Sequence, residues 1–431
     1  MSPSNTPHLR VSANGRFLMG ADGKPFFYLA DTAWELFHRC DREEADFYLR
    51  TRTEQGFSVI YAVALAEEDG LHTPNPYGQC PLHDDDPSRP NPKYFEHVDW
   101  IVARAGELGL TIGFLPTWGD KWNKDQWGVG PEVFTPENAR AYGRFLGERY
   151  RHAPLFWILG GDRIIENENH LAITRAMSQG LKEGGSSQLQ TFHACGGHSS
   201  SEWLHDEAWL DFNVWQTGHN RNSPSFRFIA QDYARTPVKP VLDAEPGYEA
   251  HMSGFRIENG YLGDYDVRKS AYWAIFSGAA GHSYGCHAVW QMWKPGRKAV
   301  NRPVDPWHDS LQLPGANQLR HLRALCERFP LSQTVPDAAL LNQISTADHA
   351  HIAALRDEEN RFALFYLPTG DAFAPRLDFL GPNFRAAWFD PRHGVEEVVA
   401  ETDKTTGRFQ PPGWGPDWIL IVEQARLTGA R

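Results

Sequence analysis

Thr111-Ile-Gly-Phe-Leu-Pro-Thr117 and Leu155-Phe-Trp-Ile-Leu-Gly160, with the amphipathic stretch Pro136–Tyr150 between them, decide the fold. Each apolar run has the length of a buried strand, and the stretch between has the period of a helix that buries one face. Thr135-Pro136-Glu137 opens that helix with a cap residue and a proline in the first turn. A strand, a helix and a second strand in this order make a βα unit of a parallel sheet. Outward from this unit the alternation continues in both directions. It predicts strands over residues 26–31, 58–64, 190–194, 212–216, 240–244 and 281–285 as well. Helices are predicted over residues 42–55, 94–108, 170–182, 225–234, 267–278 and 316–328, with Asp266 starting the fifth of these. Eight strands with helices between most of them count out a closed (β/α)₈ TIM barrel. The weakest unit lies between the fifth and sixth strands, where Ser199–Trp209 offers only a short helix.

The barrel is expected over residues 26–335. Before it, residues 1–25 read as a hairpin-like segment, with turn signals at Asn14-Gly15 and Asp22-Gly23. After it, the period changes to two. Phe362–Leu367, Ala386–Phe389 and Trp418–Val422 are strand-like and separated by proline- and glycine-rich turns, so residues 336–431 are predicted to form a small antiparallel β-sandwich.

Composition narrows the function classes. The chain has 431 residues, 41% hydrophobic and 22% charged, as an ordinary globular protein does. A net charge of −12 and the lack of a basic stripe argue against nucleic acid as partner. No apolar run reaches the roughly 18 residues of a membrane span, and no membrane partner is expected. The N-terminus lacks the apolar stretch of a signal peptide. Five cysteines without a paired motif read as free thiols. Both features lead to the expectation of a cytoplasmic protein. Aromatic residues reach 13%, including 16 Trp, and several stand beside Gly, Asp and His in loop-like stretches where a sugar ring could stack.

In a barrel the active site lies at the C-terminal ends of the strands. Those ends carry Asp31 and Trp34 on the first strand, Trp118 on the third, Asp162 on the fourth, His193 on the fifth and Gln216 on the sixth. The seventh ends in Asp243, Glu245 and Tyr248, and the eighth in His282, His287 and Trp290. Acids, amides and imidazoles bind hydroxyls, and indoles cover the C–H faces of a sugar. Asp162 and Glu245 are the candidate catalytic pair; the others are candidate substrate contacts. Alternation groups Phe156, Ile158, Gly160 and Asp162 on one face, and Val241, Asp243 and Glu245 on another. Strands four and seven face one another across the ring, so the pair can flank a glycosidic bond. Asp243 competes with Glu245 for its role, and Glu249 does so more weakly.

Phe27-Tyr-Leu-Ala-Asp-Thr-Ala-Trp34, Trp157-Ile-Leu-Gly-Gly-Asp162 and Asp243-Ala-Glu-Pro-Gly-Tyr-Glu249 resemble the apiosidase-like glycoside hydrolases, which include glycoside hydrolase family 140 and domain of unknown function 4038. Trp388-Phe-Asp-Pro-Arg-His-Gly394 resembles the small β domain, labelled collagen-binding, that follows the barrel there. The resemblance covers about residues 10 to 425. It implies an exo-acting glycosidase acting on a glycoside or oligosaccharide without cofactor or metal, with Asp162 as acid/base and Glu245 as nucleophile. Two readings of other classes compete. One is a metal-dependent barrel hydrolase, suggested by 19 His, although the first strand lacks the HxH that such sites usually open with. The other is a non-catalytic sugar-binding protein, against which the strand-end acids argue.

Overall fold

The computed structural model describes residues 9–125, 127–342, 348–380, 383–399 and 407–425. Eight parallel strands form one sheet: β1 (Tyr28–Thr32), β2 (Val59–Leu65), β3 (Thr111–Thr117), β4 (Leu155–Gly160), β5 (Gln190–His193), β6 (Asn213–Trp215), β7 (Val241–Asp243) and β8 (Gly281–Tyr284). Their order is β6-β7-β8-β1-β2-β3-β4-β5. The seam between β5 and β6 has no strand ladder. It is held by the Asp211 N–H donating to Gln190 O at 2.9 Å and the Thr191 hydroxyl donating to Phe212 O at 2.7 Å. The predicted (β/α)₈ barrel is therefore present and nearly closed.

Helices α1 (Arg42–Glu54), α2 (Pro92–Glu107), α3 (Pro136–Tyr150), α4 (Glu168–Glu183), α5 (Ser225–Tyr233), α6 (Asp264–Phe276) and α7 (Pro314–Arg328) surround it. Local chemistry sets their starts. Asp41 and Glu44 form a reciprocal capping box on α1, and Thr135 and Asn138 do so on α3. The α6 helix begins two residues before the expected Asp266, whose carboxylate instead reaches back to the Gly263 N–H at 3.0 Å. Between β5 and β6 only Ser201–Leu204 is helical, as the weak pattern there suggested. None of the helices among the described residues is long and apolar enough to cross a membrane.

Both faces of the barrel wall are buried. Tyr28, Ala30, Tyr61, Val63, Phe156, Ile158, Phe212, Val214, Leu242 and Ala244 fill the interior. Their neighbours Leu29, Ile60, Ala62, Trp157, Leu159 and Val241 pack outward against the helices. On β7 the interior set is thus Leu242 and Ala244, the reverse of the grouping expected from sequence.

The N-terminal segment pairs Arg10–Val11 with Leu18–Met19 as an antiparallel hairpin. The C-terminal unit carries a six-stranded antiparallel sheet of β9 (Thr334–Pro336), β10 (Ala353–Asp357), β11 (Phe362–Leu367), β12 (Phe384–Asp390), β13 (Val395–Val398) and β14 (Trp418–Gln424), in the order β9-β10-β11-β14-β12-β13. Alternation divides its residues between two cores. Phe362, Leu364, Tyr366, Ile419 and Ile421 join the barrel's outer core, while Ala363, Phe365, Leu367, Trp418, Leu420 and Val422 form a separate one. The first face meets α6. There Arg268 donates to both carboxylate oxygens of Asp417 at 2.8 and 2.7 Å, and Tyr272 stacks on Tyr366 with centroids 5.0 Å apart. All five cysteines are free.

Candidate active site

A cleft of about 1370 Å³ opens at the C-terminal ends of the barrel strands. It exceeds the roughly 300–1,000 Å³ of an ordinary small-molecule pocket, so it has room for more than one sugar ring. Asp162 and Glu245 both line it, together with Trp34, Trp118, Gln216, Tyr248 and Trp290. Seven of the twelve residues expected at the site therefore share one cavity.

Asp162 reaches the cleft through an unusual turn. Gly160, Gly161 and Asp162 all have positive φ, at 92°, 95° and 61°. A Cβ on Gly160 would stand 2.5 Å from His193 O, and one on Gly161 2.8 Å from Gly119 N, so only glycine fits at either position. Positive φ at Asp162 itself is a conformation that Asp tolerates better than most residues. Its Oδ2 accepts from the Trp127 indole N–H at 3.0 Å. Burial, and then the charge of Glu245, push this carboxyl well above the usual range.

Glu245 arrives by a different route. The β7 ladder ends at Asp243, Ala244 still points inward, and the chain then turns so that Glu245 enters the same cleft. His193 Nε2 lies 2.8 Å from Oε2 and His219 Nε2 3.2 Å from Oε1. An ionised carboxylate only accepts, so both imidazoles donate. Burial alone would raise the Glu245 carboxyl; the two donors outweigh it and hold the group at about 2. His193 thus supports Glu245 from below the cleft surface rather than lining it.

The remaining expected contacts lie elsewhere. Asp31 and His282 face outward, opposite to Tyr28, Ala30 and Ser283. Asp31 is fully buried against α1, where it accepts from Arg52 Nε at 2.7 Å and Tyr48 at 2.5 Å. Asp243 faces outward next to His282, its nearest oxygen 3.8 Å from the ring, and accepts from the Thr217 hydroxyl at 3.0 and 3.1 Å. Burial raises Asp243 to about 8 and lowers His282 to about 3, so both groups are neutral across much of the pH range. His287 stands behind Trp290: its Nδ1 accepts from the Trp290 indole at 3.2 Å and its Nε2 donates to Asn301 O at 2.9 Å. Burial lowers it to about 4, which suits this neutral bridging role. Asp31 so placed is a structural group. Arg52→Met, which strands the Asp31 charge, should lower unfolding free energy by about 3–5 kcal/mol. Urea denaturation checks this, with kcat of the folded fraction unchanged; a selective loss of kcat would give Asp31 a role at the cleft.

Several cleft residues were not singled out as site residues from sequence, Trp127, Glu67, His219 and His251 among them. Trp127, on the loop after β3, is 43% exposed. Glu67, just past β2, has its carboxyl raised well above the usual range by burial and then by the charges of Asp162, Glu68, Asp120 and Glu35. His251 lies beside the His219 ring, tilted to it, with centroids 4.6 Å apart. Its Nδ1 donates to Met252 O at 2.7 Å, which leaves Nε2 as an acceptor. Burial holds that ring neutral, near 2. Loop residues of this kind carry no periodic signal. The strand-end signal that marked Gln216 did extend to His219. Among the described residues, no group of three or more His, Cys, Asp or Glu side chains is arranged to hold a metal ion.

Known proteins share this architecture. The family model described as "Apiosidase-like, catalytic domain" matches residues 12–333. That described as "Putative collagen-binding domain of a collagenase" matches residues 335–423. A solved structure titled a glycoside hydrolase family 5 from Bacteroides vulgatus is 31% identical, with 97% of this chain and 93% of that one covered and a TM-score of 0.87. Another, titled simply glycoside hydrolase, is 32% identical over 98% of each chain, with a TM-score of 0.88. A glycoside hydrolase family 5 mannosidase from Rhizomucor miehei shares the fold at 13% identity, over 75% of this chain and 99% of that one, with a TM-score of 0.53. No curated protein matches the sequence. A barrel whose strand ends converge on a carboxylate-lined cleft, matched over its full length, is a glycosidase, and the chain belongs to the apiosidase-like glycoside hydrolases.

Proposed function

We propose that the protein is a retaining, exo-acting glycosidase in which Asp162 is the acid/base and Glu245 the nucleophile. The observation that carries this reading is the opposite charge preference of two carboxyls on one cleft. Two imidazole donors keep Glu245 ionised, while burial and the Glu245 charge keep Asp162 protonated. Pairs of titratable groups pushed apart in this way mark acid and base assignments.

In the first step a Glu245 oxygen attacks the anomeric carbon. The bond from that carbon to the leaving oxygen breaks, and Asp162 gives its proton to the departing oxygen. In the second step the Asp162 carboxylate takes a proton from water as the water oxygen attacks the same carbon. The bond to Glu245 breaks, and both carboxyls return to their starting states. Trp34, Trp118 and Trp290 supply faces for the sugar, and Gln216 and Tyr248 supply polar groups for its hydroxyls. The substrate is a glycoside or oligosaccharide ending in apiose or in a related furanose or pyranose. The match of the apiosidase-like catalytic model to residues 12–333 supports that class.

A screen of aryl glycosides and oligosaccharides, read for the monosaccharide released, identifies the sugar. Proton NMR of the first-formed product should then show the anomeric configuration of the substrate. An initially inverted anomer would overturn the double-displacement reading and leave water as the attacking group.

A further inference from the structure

Trp127 touches the Asp162 carboxyl directly, through its indole N–H at 3.0 Å. Its position is closely determined for a partly exposed loop residue. Asp120 Oδ2 accepts from the backbone N–H groups of Val129 and Gly130 at 2.9 and 2.8 Å, which ties down the far side of the loop. Arg163 ties down the near side: it donates to Asn123 O at 2.8 Å, to Asp162 O at 2.7 Å and to Trp127 O. The same guanidinium lies 4.5 Å from the Trp127 ring centroid, a cation–π contact that occupies one face of the indole. The ring also lines the cleft beside the group that must meet the leaving oxygen.

We infer that Trp127 is a positioning residue for Asp162 and the wall of the leaving-group subsite, the place for an aglycone or second sugar with an apolar ring face. The inference rests on the reading of Asp162 as acid/base. An indole N–H is a donor only, so it fixes the rotation of the carboxyl without competing for its proton. The donor also favours the ionised form and so moderates the rise that burial imposes. A carboxyl that turns away from the leaving oxygen by even about 1 Å loses on the order of 100-fold in rate.

The test compares Trp127→Phe, which keeps a ring and loses the donor, with Trp127→Ala, which loses both. Two substrates are used, the methyl and 2,4-dinitrophenyl glycosides of the sugar found by the screen. Trp127→Phe should lower kcat on the methyl glycoside by about 10- to 100-fold. On the dinitrophenyl glycoside, whose leaving group needs little protonation, the first step, read as kcat/KM, should stay within about three-fold. The alkaline limb of its pH profile should move upward, because the donor that favoured the carboxylate is gone. Trp127→Ala should in addition raise KM for an oligosaccharide above the Trp127→Phe value. Equal losses of kcat/KM on both glycosides, or an unmoved alkaline limb, would remove the positioning role, and equal KM values in the two variants would remove the wall. Asp162→Asn run alongside separates the two levels. Wild-type turnover in Asp162→Asn sinks the acid/base reading itself, whereas a leaving-group-dependent loss there and none in Trp127→Phe sinks only this inference.

Discussion

Glu245→Gln should lower kcat by about 10⁴- to 10⁶-fold, the scale on which loss of a covalent nucleophile acts. The amide has nearly the shape of the carboxylate and can still meet one imidazole, so the fold should survive. It cannot form the glycosyl ester, and it no longer supplies the charge that opposes ionisation of Asp162. Steady-state kinetics on the responding aryl glycoside, with a thermal melt as control, measures the effect. The smaller variant Glu245→Ala adds a second reading. With azide as an external nucleophile it should yield a glycosyl azide of inverted configuration. The outward-facing Asp243 is the comparison residue, and Asp243→Asn should keep turnover within about ten-fold of wild type. Wild-type-like activity in Glu245→Gln, or collapse in Asp243→Asn alone, would transfer the nucleophile role to Asp243.

Asp162→Asn should show a loss that depends on the leaving group. Removing a general acid costs about 10²- to 10⁴-fold where the departing oxygen needs its proton. For a dinitrophenyl leaving group the first step should be nearly unaffected, and hydrolysis of the glycosyl ester should become limiting. The pH profile carries the second signature. The active form has Glu245 ionised and Asp162 protonated. Activity therefore falls as pH drops through the Glu245 value of about 2, and falls again as pH rises through the raised value of Asp162. In Asp162→Asn the alkaline limb should disappear and the acid limb remain. An alkaline limb that persists would assign it to another group, and Glu67 would be the next to test.

The order of strands and helices was legible because turn residues separate the strands and several helices begin with a cap that needs no tertiary contact, as at Asp41 and Thr135. Which side chains face the cleft was harder to read. A barrel strand is buried on both faces, so the alternation that separates core from solvent in a half-exposed strand is missing. On β4 the reading held, because Phe156 and Ile158 point inward and Asp162 lies on their side. On β1 and β7 nothing in Leu29 against Ala30, or in Val241 against Leu242, says which is inside. Asp31, Asp243 and His282 were therefore placed among substrate contacts although they face the helices. Trp127 and His251 escaped for another reason. They sit on loops whose course depends on groups remote in sequence, Asp120 and Arg163 for the first and the His219 ring for the second.

The sheet that follows the barrel shares a core with α6, and this has a bearing on how such a chain can evolve. Phe362, Leu364, Tyr366, Ile419 and Ile421 would be left uncovered if the sheet stood alone. Arg268 on α6 would likewise lose its carboxylate partner on Asp417. Two architectures that look separable along the sequence are thus one thermodynamic unit. Recombination cannot lift the C-terminal sheet out as a cassette or graft it onto an unrelated catalytic domain unless the recipient already offers an α6 surface of the same shape and charge. A pairing inherited intact, barrel and sheet together, is the expected result of that shared surface, whatever sugar the cleft comes to cleave.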